Sequence, residues 1–264
     1  GIGDLGTAVK IEGKIVQITG GTRPNDGANL FHSFKQFDLA SGDTAQFLNL
    51  TPSLPTSNIL SRVTGNNPSM VFGTIDTSSY AGANLFLMNP AGIVFGPDAT
   101  LHVGGSVAFT TGNYLSLTEA AGSDAGIFHA DPTATSVLTS ASVAAFGFLN
   151  SNAAGIAVQG STLELQQPNQ SISLVGGNKG FNSLNASAPD GITMARGKLS
   201  TSSGDIRIAS VASPGEVLTS SLDQAQNING QSFGPLGAIQ LSQSELNVSG
   251  SGGRAIFIRG GRLI

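Results

Sequence analysis

The chain carries 16 acidic side chains over 264 residues, and none adjoins another or stands two positions away. Asp98, Asp131, Glu164, Asp190, Asp205, Glu216 and Glu245 each stand singly. Pectin-active enzymes on parallel β-helices need clustered acids. Lyases hold calcium beside a basic residue, and hydrolases pair neighbouring carboxylates. His32, His102 and His129 are dispersed too, never at His-x-x-x-His spacing. The absence of cysteine removes thiolate nucleophiles, thiolate metal sites and disulfides. Gly104-Gly105, Gly176-Gly177 and Gly252-Gly253 lack the Gly-Lys-Ser/Thr of a phosphate loop and the Asp of a calcium-binding nonapeptide. They read as corners. The expectation is no enzyme, no cofactor and no metal; a carbohydrate-binding or pectin-active protein, its acids gathered across stacked segments, is the alternative.

The pattern that stands out shapes backbone. In Asn89-Pro90-Ala91-Gly92-Ile93, proline presets φ, glycine accepts a positive φ, and the asparagine side chain bonds the backbone two residues on. That is a tight turn between Leu85-Phe86-Leu87 and Ile93-Val94-Phe95. Asn66-Asn67-Pro68-Ser69 reads as a second turn.

Composition says what such turns connect. Charged residues are 11% of the chain and 36 of its 264 residues are Gly, against about a quarter and about 7% in ordinary domains. Helical bundles are excluded, since glycine costs about 1 kcal/mol per helix interior position. Disorder fits poorly with 39% hydrophobic residues in short clusters. A net charge of −4 gives no reason to expect nucleic acid. No apolar run is long enough for a spanning helix, so no membrane insertion is expected.

The apolar clusters fall into triplets. Ile93, Leu101 and Val107 open one; Ile156, Leu163 and Ile172 a second; Ile192, Leu199 and Ile206 a third; Ile239, Leu246 and Ile256 a fourth. Apolar and polar residues alternate within clusters, so one side of each strand is dry. Three short strands in about 20 residues describe one coil of a parallel β-helix, preferred over an antiparallel sandwich. The fold class is all-β, a parallel β-helix with an N-terminal β cap, right-handed by the general chirality of parallel crossovers. Residues 1–80 read as cap and first coils, and 81–264 as coils of the same continuous domain with an insertion near 214–235. The cap pairs residues 8–13 with 14–18 about a glycine, and Phe31, Phe34, Phe37 and Phe47 anchor it. Within the insertion Leu218, Leu222 and Ala225 have helical spacing, and a loop or short helix is expected. The chain starts at Gly1 without a signal segment and stops mid-pattern, so a piece of a longer repetitive protein is expected.

The runs 58–69 and 84–96, which contain Arg62-Val63-Thr64-Gly65, Asn67-Pro68 and Asn89-Pro90-Ala91-Gly92-Ile93, resemble the filamentous-haemagglutinin-type secretion domain of two-partner secretion exoproteins. Segments 30–37, 104–106 and 145–149 support the likeness, which is specific from about residue 8 to 160. Two departures are visible: Ala91 stands where the family has a second Asn, and an Asn-Pro-Asn-Leu motif is missing. The resemblance implies recognition by an outer-membrane transporter with periplasmic domains. It further implies extra-helical β elements, export in extended form, folding outside the cell, a secreted or surface location, a monomer, and Asn89–Ile93 as the recognition turn, with Arg62, Val63, Thr64, Gly65, Asn67 and Pro68 secondary. A cysteine-free chain suits a narrow pore.

Overall fold

The computed structural model describes residues 5–118, 126–182, 187–188, 190–219, 234–252 and 254–264. Its strands wind into a parallel β-helix with three faces. The first face is a seven-stranded parallel sheet, in stacking order Asn29–Phe34, Asn58–Val63, Asn84–Met88, Val107–Thr110, Ile172–Gly176, Ile206–Ser210 and Ile256–Arg259. The second has six strands, Ser69–Val71, Ile93–Phe95, Ile156–Gln159, Ile192–Ala195, Ala238–Ser242 and Arg262–Leu263. The third is split. Thr7–Glu12, Ile15–Gly20, Thr44–Phe47, Thr74–Asp76 and Thr100–His102 form one sheet, and Thr162–Pro168, Lys198–Ser202 and Glu245–Asn247 another.

Each sequence triplet is one strand from each face, and the register stacks like on like. Ile93, Ile156, Ile192 and Ile239 are successive partners on the second face. Val107, Ile172, Ile206 and Ile256 are partners on the first, and Leu163, Leu199 and Leu246 on the third. Except at Ile256, which is 40% exposed, their side chains pack into the interior; Ile93, Ile156 and Ile192 are fully buried, each worth about 1.5–3 kcal/mol of transfer.

Coils already run through the first 80 residues, where the apolar triplets do not show in the sequence. Asn29–Phe34, Asn58–Val63 and Asn84–Met88 pair in parallel with Asn29, Asn58 and Asn84 aligned. These asparagines form a side-chain ladder, Asn84 Nδ2 to Asn58 Oδ1 at 2.9 Å and Asn58 Nδ2 to Asn29 Oδ1 at 2.8 Å. The cap hairpin is present as expected, Thr7–Glu12 antiparallel to Ile15–Gly20.

Two expectations are corrected. Phe34, Phe37 and Phe47 lie in the interior under the hairpin, but Phe31 points outward, because it alternates with Leu30 and His32 along its strand. It meets Phe128 edge-on, ring centroids 5.0 Å apart. The outer side of the first face is also dry. Between Thr110 and Ile156 the chain leaves the coil to build an antiparallel sheet, Tyr114–Leu117 between Gly126–His129 and Val143–Phe148, laid over that face. Gly215–Leu218 joins it as a fourth strand. The start of the insertion is thus a strand, since its residues extend along the exposed edge of Val143–Phe148; Leu222 and Ala225 lie outside the described residues. Tyr114 clasps this strand, its hydroxyl donating to Glu216 at 2.9 Å. Burial and that carboxylate push the Tyr114 pKa up to about 12.

Candidate functional site

The chain turns from the first face to the second at one corner, and the described excursions leave the helix there. The corner holds residues 64–68 in one coil and 89–92 in the next, so the two motifs, about 20 residues apart in sequence, are stacked neighbours.

Asn89 is fully buried and works in two directions. Locally, its Oδ1 accepts the Ala91 N–H at 3.0 Å and its carbonyl accepts the Gly92 N–H at 3.0 Å. Gly92 sits at φ 119°, a backbone region that side chains rarely enter. Both bonds close within four residues. Between coils, Asn89 Nδ2 donates to the Asn67 carbonyl at 3.1 Å and to Ser69 Oγ at 3.0 Å. Its own N–H donates to the Thr110 carbonyl of the next coil at 2.9 Å. The side chain spends its hydrogen-bonding capacity on the corner and offers nothing to a partner.

Pro90 and Ala91 do the reverse. Half-buried, they line an open groove of about 630 Å³ together with Val63, Thr64, Gly65 and Asn66. Ala91 gives the corner only its backbone N–H, so its side chain can change without cost to the turn. Gly65 is required by stacking: a Cβ there would stand 2.3 Å from the Lys35 carbonyl oxygen. Ile93 is interior core.

The opposite wall comes from the extra-helical sheet, through His129, Asp131, Pro132 and Asn150. Read along the chain, His129 and Asp131 are isolated polar residues; their place in this wall depends on a sheet folding back over the helix, which local spacing does not mark. Thr133 donates its hydroxyl and N–H to Asp131 at 2.7 and 2.8 Å, which holds that carboxyl below its usual range. Burial pushes the His129 pKa down, against the pull of Asp131. The rim therefore carries a carboxylate and a neutral imidazole at neutral pH.

Arg62 stands behind the groove. It is 3% exposed, with Nε donating to Ser33 Oγ at 2.9 Å and Nη1 to the His129 carbonyl at 2.8 Å. Its guanidinium lies 5.2 Å from the Phe128 ring centroid. Arg62 is a clamp between helix and extra-helical sheet. Asn67 takes part through its carbonyl, with Pro68 leading into the next strand. Elsewhere, among the described residues, no three His, Cys, Asp or Glu side chains gather as a metal site would need. No described helix is long and apolar enough to cross a membrane.

A family model described as the TPS secretion domain matches residues 3–256. Among solved structures, the chain is similar to the HMW1 secretion domain from Haemophilus influenzae, with a TM-score of 0.48 and 16% identity. That match covers 91% of this chain and 54% of the other, so the chain spans about half the length of that relative. It is also similar to a filamentous hemagglutinin secretion domain, TM-score 0.41, 18% identity, covering 96% of this chain and 97% of the other. No curated protein sequence matches.

Proposed function

Because the chain belongs to the TPS secretion domain family, we propose that its 89–92 turn is the element an outer-membrane transporter reads during two-partner secretion. Residues 1–80 supply the cap and first coils and 81–264 the remaining coils of one continuous domain. The chain meets the transporter's periplasmic domains and crosses the pore as an extended monomer. It then folds outside, at the cell surface or beyond, as the template on which later coils stack.

One observation carries this reading, the division of labour within the turn. The bonds from Asn89 to Ala91 and Gly92 are local, so the turn closes in a chain that is otherwise extended. Those from Asn89 to Asn67, Ser69 and Thr110 need neighbouring coils and form only on folding. Pro90 and Ala91 are presented throughout. Folding on the far side opposes back-sliding, as each coil buries its apolar stripe.

The test is an export assay with the cognate transporter present or deleted. Export should require the transporter. It should fall when Asn89 and Pro90 are both replaced by Ala, and tolerate Ala91→Asn. Normal export of the double variant would overturn the assignment.

A further inference from the structure

The cap hairpin ends in an open edge. Thr7–Glu12 is the outermost strand of its sheet and, among the described residues, pairs only with Ile15–Gly20. Val9 opposes Ile18 and Ile11 opposes Val16. Ile18 is buried in the interior and Val16 packs against it, so the apolar side of the hairpin continues outward across Thr7–Glu12. There Val9 is 53% and Ile11 71% exposed. An apolar edge with unpaired backbone is a template for another strand.

The charges on the strand say which one. The hairpin turns through Gly13 and Lys14, with Gly13 at φ 62°, so Glu12 and Ile15 are the hydrogen-bonded pair that closes it. Backbone groups alternate in direction along an antiparallel strand. Lys10 and Glu12 therefore point theirs at Ile15–Gly20, and Val9 and Ile11 point theirs outward. A second copy running antiparallel must set outward residues against outward residues. Matching Val9 with the partner's Ile11 brings Lys10 onto the partner's Lys10, which repels. Matching Val9 with the partner's Val9 sets Lys10 against the partner's Ala8 and forms no ion pair, whereas matching Ile11 with the partner's Ile11 brings Lys10 onto the partner's Glu12 and Glu12 onto the partner's Lys10. Both side chains are exposed, by 71% and 48%, and already pair with each other along the strand, so the dimer extends that pair into a cluster of four alternating charges.

The geometry points to a homodimer of the folded chain through this edge, in register about Ile11. The two hairpins form a four-stranded antiparallel sheet across a two-fold axis, with two ion pairs on one side and Ile11 against Ile11 on the other. The two solenoids extend in opposite directions from the junction, leaving their far ends free.

Sedimentation velocity over a concentration series should show a reversible monomer–dimer equilibrium. Lys10→Glu alone, or Glu12→Lys alone, sets like charges opposite each other twice and should weaken the dimer about tenfold. The double variant Lys10→Glu/Glu12→Lys restores both pairs and should return the affinity, which a folding defect would not do. The chain has no cysteine, so single cysteines report register. Ile11→Cys should oxidise to a disulfide dimer, its Cα atoms about 5.5 Å apart, and Val9→Cys should not. A monomer at every concentration, a double variant as weak as the singles, a dimer indifferent to both reversals, or equal crosslinking at 9 and 11 would each overturn the proposal.

Discussion

The third and first faces of the helix are built from the same coils and differ in what covers them. On the third face, Thr162–Pro168 alternates wet and dry, with Leu163 and Leu165 buried and Glu164 exposed. On the first face, all six residues of Asn29–Phe34 and all five of Ile172–Gly176 are buried. The difference is the extra-helical sheet, which makes the outer side of the first face a second core around Phe31, Phe128 and Phe146. Polar residues there are structural. Arg62 sits against the Phe128 ring, with Ser33 and the His129 carbonyl receiving its N–H groups.

That contrast is open to direct attack. The largest effect is expected from Phe146→Ala, which empties a site 1% exposed in the second core. It should cost about 3–5 kcal/mol in denaturant unfolding, and a cost near zero would show the sheet to be loosely laid.

Next is His32, buried on the inner side of the first face with Nδ1 3.2 Å from Thr7 Oγ1 and its ring against Phe34 and Phe47. Burial, aided by Arg23, lowers its pKa from 6.5 to about 4. The unfolded chain therefore takes up the proton first as pH falls. The folded state is favoured fully above about pH 6.5, and about 3 kcal/mol should be lost by pH 4. Stability measured against pH should fall across that window and be flatter in His32→Leu.

Asn89→Ala removes the Nδ2 bonds to Asn67 and Ser69 and should cost about 1–3 kcal/mol by thermal or denaturant unfolding. The smallest effect belongs to the bare face. Glu164→Ala should stay within about 0.5 kcal/mol, and a larger loss would mean that the third face is covered as well.

The same contrast explains what could be read from sequence. Leu163-Glu164-Leu165 announces its strand because one side is wet. Within the first 80 residues the coils are harder to see, since Leu30-Phe31-His32-Ser33-Phe34 is buried on both sides and loses its alternation. A signal was present in the asparagine that opens Asn29-Leu30-Phe31, Asn58-Ile59-Leu60 and Asn84-Leu85-Phe86, one per coil, and the ladder is its structural meaning. At the candidate site, the Asn89–Gly92 turn follows from local chemistry, and the structure shows its expected bond from Asn89 Oδ1 to the Ala91 N–H. The wall formed by His129, Asp131 and Asn150 depends on long-range folding of the excursion, which no local pattern encodes.

The central claim is that Asn89 holds the corner while Pro90 and Ala91 are what the transporter reads. Ala91→Arg tests it most directly, because the residue contributes only its backbone N–H to the turn and its side chain faces the groove. Export through the cognate transporter and the melting temperature of the purified domain should be measured on the same variant. The account predicts strongly reduced export with an unchanged melting temperature; export at the level of the unaltered chain would contradict it.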